Sequence, residues 1–172
     1  MAPFQDSRIV SRGGLAASDG SCGVSGVGRI AAVQYAAIPW RRRDGELKIL
    51  LVTTLNSKRW ILPKGWPIPG LAPAESAARE AEEEAGVTGE VQPEPLGVFH
   101  YDKRRNTGAT LRCRVEVFGL KVSRQRRSWP EKAARQICWC SPEEALAHVT
   151  EPGLRRVIGR FQKINRRNGR MH

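Results

Sequence analysis

Apolar residues along this chain gather in short runs, separated by Gly, Pro and charged clusters, with one longer alanine-rich stretch among them. The run from Ile30 to Ile38 has the character of a mostly buried strand. Pro39 to Glu46 follows as a basic turn carrying Asp44-Gly45, a hairpin signal, and Leu47 to Thr54 supplies the partner strand. Trp60-Ile61-Leu62 predicts a short apolar strand. Pro63 to Pro73 holds four prolines and two glycines, a composition that excludes regular structure. A helix is expected to start near Pro73, where proline suits the first turn, and to stop at Gly86. Ala74, Ala77, Ala78, Ala81 and Ala85 give it strong helix propensity. Leu96 to Tyr101 reads as a strand, Asp102 to Gly108 as a polar turn, and Thr110 to Val122 as a longer strand. In that strand Arg112, Arg114 and Glu116 alternate with Cys113, Val115 and Val117. Ser123 to Ala134 is a basic loop, and Gln136 to Cys140 a final strand. Ser141-Pro142-Glu143-Glu144 is an N-cap sequence, opening helices over Pro142 to His148 and Pro152 to Asn165.

These elements predict an α/β fold of several strands and about three helices, without internal repeats. The expected organisation is a flexible Gly/Ser/Ala-rich leader over 1–26, one domain over 27–165 and a frayed basic tail over 166–172. No window holds the roughly 18 consecutive apolar residues of a membrane span. The first residues lack the basic start and apolar run of a secretory signal, so a cytoplasmic protein with no membrane partner is the expectation. Four cysteines stand at 22, 113, 138 and 140 without the paired two-residue spacers of zinc sites. Cys138 and Cys140 flank Trp139 and are expected as buried thiols on one strand face.

Charge changes this picture. The formal net charge is +12, from 29 Lys and Arg against 17 Asp and Glu. Much of the excess sits in Arg41-Arg42-Arg43, Lys103-Arg104-Arg105, Arg124 to Arg127 and the stretch from Arg155 to Arg170. Such charge favours polyanionic partners: nucleotides, inositol phosphates or nucleic acid.

Against that background, Lys64 to Val87 concentrates acid. Glu80, Glu83 and Glu84 stand at i, i+3 and i+4, so the second and third lie roughly 60° and 40° to either side of the first around a helix. Three carboxylates projecting from one face repel one another unless compensated. Hard cations such as Mg²⁺ take oxygen ligands of this kind. On charge pattern alone a solvated acidic face paired with arginines accounts for them equally. Glu82 points away from the three.

The order of residues adds more. Gly65, followed at the right spacing by Arg79-Glu80-Ala81-Glu82-Glu83-Glu84-Ala85-Gly86-Val87, resembles the signature of the Nudix hydrolases. That signature is a glycine, five residues, a glutamate, seven residues, then Arg-Glu-apolar-x-Glu-Glu-x-Gly-apolar. The preceding Trp60 to Gly65 resembles the branch acting on diphosphoinositol polyphosphates and dinucleoside polyphosphates. The resemblance covers roughly residues 27–147. One position departs: the first signature glutamate falls on Leu71, and Glu75, about 140° from Glu80 around the helix, is a poor substitute.

The resemblance implies a Nudix α/β/α sandwich with a mixed β-sheet. It also implies hydrolysis of phosphoanhydride bonds in nucleoside diphosphate-linked or polyphosphate compounds, with Mg²⁺ or Mn²⁺ as cofactor. Glu80, Glu83 and Glu84 are the expected metal ligands. Glu83, Glu80 and Arg79 form the catalytic set, with Arg79 orienting the carboxylates. Arg59, Lys64 and Gly65 are the expected substrate-binding residues, and Arg41 to Arg43 with Lys103 to Arg105 are candidates for a wider basic rim. For the general base the order is a helix glutamate, then Glu116, then His100. The expected partner is an anionic small molecule bearing a di- or polyphosphate, favoured over nucleic acid. Two alternatives stand: removal of pyrophosphate from RNA 5′ ends, and a catalytically weak Nudix-fold binding protein, the latter prompted by Leu71.

Overall fold

A computed structural model describes residues 32–104 and 108–168. The expected leader lies outside these residues. Seven strands form one sheet: β1 (Ala32–Arg43), β2 (Glu46–Thr53), β3 (Trp60–Ile61), β4 (Lys64–Gly65), β5 (Val87–Arg104), β6 (Thr110–Gln125) and β7 (Ile137–Cys140). Three helices accompany them: α1 (Pro73–Ala85), α2 (Pro142–His148) and α3 (Pro152–Asn168). The main strand order is β3-β2-β1-β6-β5, with β4 added to β1 and β7 to β2. The β1–β6 pair is parallel and the other pairs are antiparallel, so the sheet is mixed.

Alternation along the strands divides the core in two. Ala36, Ile38, Ile49, Leu51, Val115 and Val117 pack with Leu154, Ile158 and Phe161 of α3. Their neighbours Ala37, Leu50, Val52, Phe118 and Leu120 pack with Ala74, Ala77, Ala81 and Ala85 of α1. The result is an α/β/α sandwich. Its alanine-faced helix sits close to the sheet because no long side chain holds it off.

Several boundaries differ from expectation, each for a physical reason. The hairpin turn is shorter than the span from Pro39 to Glu46: β1 runs on to Arg43, and only Asp44 and Gly45 turn, with φ of 52° and 78°. Lys64–Gly65 is not loop but a short strand against Tyr35 and Ala36. Prolines on either side stop it from extending. Strand β5 begins directly after α1 at Val87, and its Pro93 and Pro95 fall where the register with β6 slips, so their missing N–H groups break no regular ladder. Helix α3 continues to Asn168, three residues beyond its expected end. Cys138 and Cys140 pair opposite Leu51 and Ile49, facing one way as expected, although Cys138 is only half-buried.

Helix α1 starts with Pro73 and has no capping side chain at Ala72. Instead Glu75 accepts from the Ala72 backbone N–H at 2.8 Å. Its other end closes on Gly86, left-handed at φ 69°, whose N–H donates to Glu82 O. A Cβ at Gly86 would lie 2.5 Å from the Trp129 ring. Gly86→Ala therefore meets both backbone strain and a clash. It should lower unfolding stability by about 2 kcal/mol in urea titration; an unchanged midpoint would show that Trp129 does not seal this helix end.

Candidate functional site

The β4–β1 pairing sets Gly65 directly beneath α1. A Cβ there would stand 2.0 Å from Oε1 of Glu80, so only glycine lets that carboxylate rest against the loop backbone. Glu83 lies one turn on and is about half exposed, whereas the Glu84 side chain is only 5% exposed. Arg79 lies along the helix, its Nη1 donating to Glu82 Oε2 at 3.2 Å and its Nε standing 3.8 Å from Glu83 Oε1. Glu82 is no idle solvent residue: Arg126 reaches its other oxygen at 2.5 Å.

Arg135 escapes prediction from sequence. Its buried guanidinium donates to Glu84 Oε1 at 2.6 Å and to the Thr53 carbonyl at 2.8 Å, and its Nε pairs with Glu131. The surrounding loop is tied to α1 through its backbone as well. Arg126 N–H donates to Gly86 O at 2.8 Å and Glu131 N–H to Glu83 O at 3.2 Å. The available sequence signal was the Glu131–Arg135 spacing of four, an ion-pair spacing that also occurs on ordinary surfaces.

Burial and crowding disfavour charge on these acids. Burial, then Glu83, then Glu131 push the Glu80 carboxyl up. Burial raises Glu84 to about 7, with Arg135 pulling the other way. The second oxygen of Glu84 is buried without a hydrogen-bond partner. An all-carboxylate donor set with an orphaned oxygen and mutually repelling neighbours fits a hard divalent cation. Among the described residues no three acidic, His or Cys side chains already converge at ligating distance. Glu84 turns to Arg135 and Glu83 leans towards Arg79, so holding a cation needs rotation of these side chains.

On the α3 side of the sheet lies a cavity of 150 Å³ lined by Arg59, Trp60, Leu62, Lys64, Phe99, Tyr101, Asp102, Glu151 and Leu154, among others. Lys64 bridges the two regions. Its Nζ donates to the Tyr101 hydroxyl at 3.1 Å, which donates in turn to Gln34 at 2.6 Å. Burial pulls the Lys64 pKa down, opposed by Glu84. Lys64 forms no ion pair among the described residues, which leaves its charge available to a ligand. Arg59 is exposed and held by Ser57 at 3.1 Å.

Other candidates are not brought here. Arg41 turns back over Trp139, 3.9 Å from the ring centroid, and Arg42 donates to Gly45 O and Asn165 O. Both belong to the hairpin end of β1, roughly 20 Å or more along the strand from Tyr35 beside Gly65. Arg41 to Arg43 therefore form no rim. Lys103 stands over the exposed Trp66 ring at 4.8 Å, nearer the signature loop; Arg105 lies outside the described residues. Glu116 is on the α1 side of the sheet but is paired with Arg114, two strands from Gly65. His100 is exposed on β5, opposite Arg114.

A family profile described as the NUDIX domain matches residues 33–161. The chain belongs to the Nudix family. It is 36% identical over 135 residues to Nudix hydrolase 21, chloroplastic, of Arabidopsis thaliana, covering 76% of this chain and 65% of that protein. It is 33% identical over 108 residues to diphosphoinositol polyphosphate phosphohydrolase 3-alpha of Mus musculus, covering 61% of this chain and 62% of that one. The chain thus spans less than two thirds of these relatives. Among solved structures, a C. elegans Ap4A hydrolase binary complex superposes with a TM-score of 0.61 at 19% identity, covering 77% of this chain and 96% of that one, a likeness of fold. The Nudix signature accordingly falls on Gly65 and α1, with Leu71, 40% exposed, at its first glutamate position.

The raised Glu84 pKa has a signed consequence. The folded chain holds this proton more tightly than the unfolded chain, whose carboxyl titrates near 4.5. The stability it contributes is full below that pH and is lost as pH rises towards about 7. In chelator, wild-type Tm should fall across this window relative to Glu84→Gln, which cannot titrate, and Mg²⁺ at pH 7.5 should raise Tm in wild type only. Parallel melting curves would refute the assignment.

Proposed function

We propose that this chain is a divalent-metal-dependent pyrophosphohydrolase that cleaves phosphoanhydride bonds in nucleotide-linked polyphosphates. The observation that carries this is Glu80 resting on Gly65, with Glu83 and Glu84 on the same helix face and the unpaired Lys64 beside them. Glu80, Glu83 and Glu84 would hold Mg²⁺ or Mn²⁺. Bound there, such a cation draws charge from the diphosphate and lowers the pKa of an attacking water. Glu83 is the accessible carboxylate and is held only at 3.8 Å by Arg79, so it is the first choice to take the water's proton. Arg79 orients Glu82 and Glu83 rather than touching substrate. Lys64 and Arg59 grip the phosphates between the metal-holding helix and the cavity.

The cavity favours one substrate class. At 150 Å³ it is well below the roughly 300 Å³ of an ordinary ligand pocket, room for one ring system. Trp60, Phe99 and Tyr101 offer aromatic faces, and the lining's acids Asp102, paired with Arg112, and Glu151 offset its cations Arg59 and Lys64, so it is not the strongly basic wall a densely phosphorylated ring calls for. A nucleobase suits this lining, so dinucleoside polyphosphates lead and diphosphoinositol polyphosphates come second. The named activities of the C. elegans and mouse proteins support the pair of classes. A cytoplasmic setting belongs to the same proposal; no helix among the described residues is long and apolar enough to cross a membrane.

A panel of dinucleoside polyphosphates, nucleotide sugars, inositol pyrophosphates and 5′-triphosphate RNA, with Mg²⁺ or Mn²⁺, tests the reading by phosphate release. Glu83→Gln should reduce kcat at least ~100-fold with Tm little changed. Background rates on every substrate would leave a binding protein instead. Leu71→Glu adds negative charge near the metal-holding face and should tighten Mn²⁺ binding severalfold by calorimetry. Weaker binding would show that the site is built around leucine.

A further inference from the structure

On the opposite side of the sheet from α1, helix α3 carries no acidic residue from Pro152 to Asn168. Arg156, Arg160, Lys163 and Arg167 are exposed, and at 100° per residue they fall within a stripe about 60° wide and ~17 Å long. None of the four forms an ion pair among the described residues; the ion-paired cation of α3 is Arg166, with Glu143. Their spacing is self-opposing. Arg156–Arg160 and Lys163–Arg167 are i,i+4 like-charge pairs, and Arg160–Lys163 is an i,i+3 pair, so each repels its neighbour. A helix surface serving solubility alone relieves this by interleaving signs, as Arg79, Glu82 and Glu83 do on α1.

We propose that the exposed stripe of α3 binds the phosphodiester backbone of nucleic acid. A row of single positive charges repeating every 4.5–6 Å along the helix, by rise about 1.5 Å per residue, complements a linear array of phosphates. A lipid surface fits less well. Of the apolar residues of α3, Leu154, Val157, Ile158 and Phe161 are buried in the core, and Ile164, 37% exposed, is a single side chain, too little apolar surface to insert among acyl chains. The stripe carries no aromatic residue for base stacking and no base-reading geometry, so binding is sequence-tolerant and strongly salt-dependent. The stripe is separated from the carboxylates by the sheet, while the cavity assigned to substrate reaches Glu151 and Leu154 at the start of α3. Nucleic-acid binding needs neither metal nor turnover, so it is tested apart from the hydrolase reading.

The experiment is fluorescence anisotropy of a 5′-labelled 20-nucleotide single-stranded RNA, with a DNA strand of the same sequence in parallel, over a KCl series. Replacing Arg156, Arg160, Lys163 and Arg167 by Gln should make the slope of log K against log salt shallower by about 3, from ~0.7 per neutralised phosphate. A control with equal charge loss elsewhere, at Arg43, Lys121, Arg124 and Arg127, should shift it by less than about 1. A third variant with Lys at 156, 160 and 167 should keep wild-type binding, which separates charge from folding, and melting curves verify that each variant folds. The proposal is overturned if wild type fails to bind, if both Gln variants lose equally, or if the α3 variant binds RNA unchanged. It is also overturned if the α3 variant loses only its binding to phosphatidylserine vesicles, which would make the stripe a lipid contact.

Discussion

A carboxylate buried to 5% exposure is the constraint around which this site is arranged. Glu84 sits on the sheet-facing side of α1, where an unpaired anion would be prohibitively costly. Arg135 meets it and spends its remaining donors on the Thr53 carbonyl and Glu131. One guanidinium thereby ties together α1, the end of β2 and the loop after β6. Removing a single member of such a buried pair strands the other charge, typically at about 3–5 kcal/mol. The second Glu84 oxygen remains without a hydrogen bond, so the network stops one partner short of completion. That incompleteness is what suits the site to a cation.

The same economy recurs at Lys64. A half-buried lysine without an ion pair among the described residues is unusual, because burial disfavours its charge. Here the ammonium is held by a neutral hydroxyl, and its ring contact with Tyr101 is 4.9 Å. One oxygen of Glu84 lacks a hydrogen bond on one side, and Lys64 lacks an ion pair among the described residues on the other. On the proposed reading, a polyphosphate with its counter-ion would supply both. The cavity walls combine aromatic faces with two basic and two acidic side chains, and on that reading would discriminate by what hangs from the phosphates.

The signature residues were legible in the sequence because their chemistry demands an order along one helix. Gly65, Arg79, Glu80, Glu83, Glu84 and Gly86 are locally spaced, and so are the turn at Asp44-Gly45 and the cap at Ser141. What escaped was set by distant pairing. The short strand at Lys64 exists only because Tyr35 and Ala36 offer it a partner, and the early start of β5 only because β6 lies alongside. Arg135 is 51 residues from Glu84 in sequence, so no local pattern announces their contact. The triplet Arg41 to Arg43 misled for a related reason: neighbours in a strand point to opposite faces, so a cluster in sequence is not a cluster in space.

Leu71 gains a different meaning from the way Arg79 is held. The arginine finds its carboxylates within its own helix, at Glu82 and Glu83, and Arg126 fastens Glu82 from the loop beyond β6. The signature loop between Gly65 and Pro73 instead holds the helix by its backbone, through Ile68 N–H to Ser76 Oγ at 3.2 Å and Ala72 N–H to Glu75 at 2.8 Å. Its exposed Trp66 and Leu71 side chains take no part in those bonds, so they can vary while the acid-bearing turn keeps its alignment. In this chain, alignment of the acidic turn depends on the loop's backbone and on Arg126, not on a carboxylate at position 71.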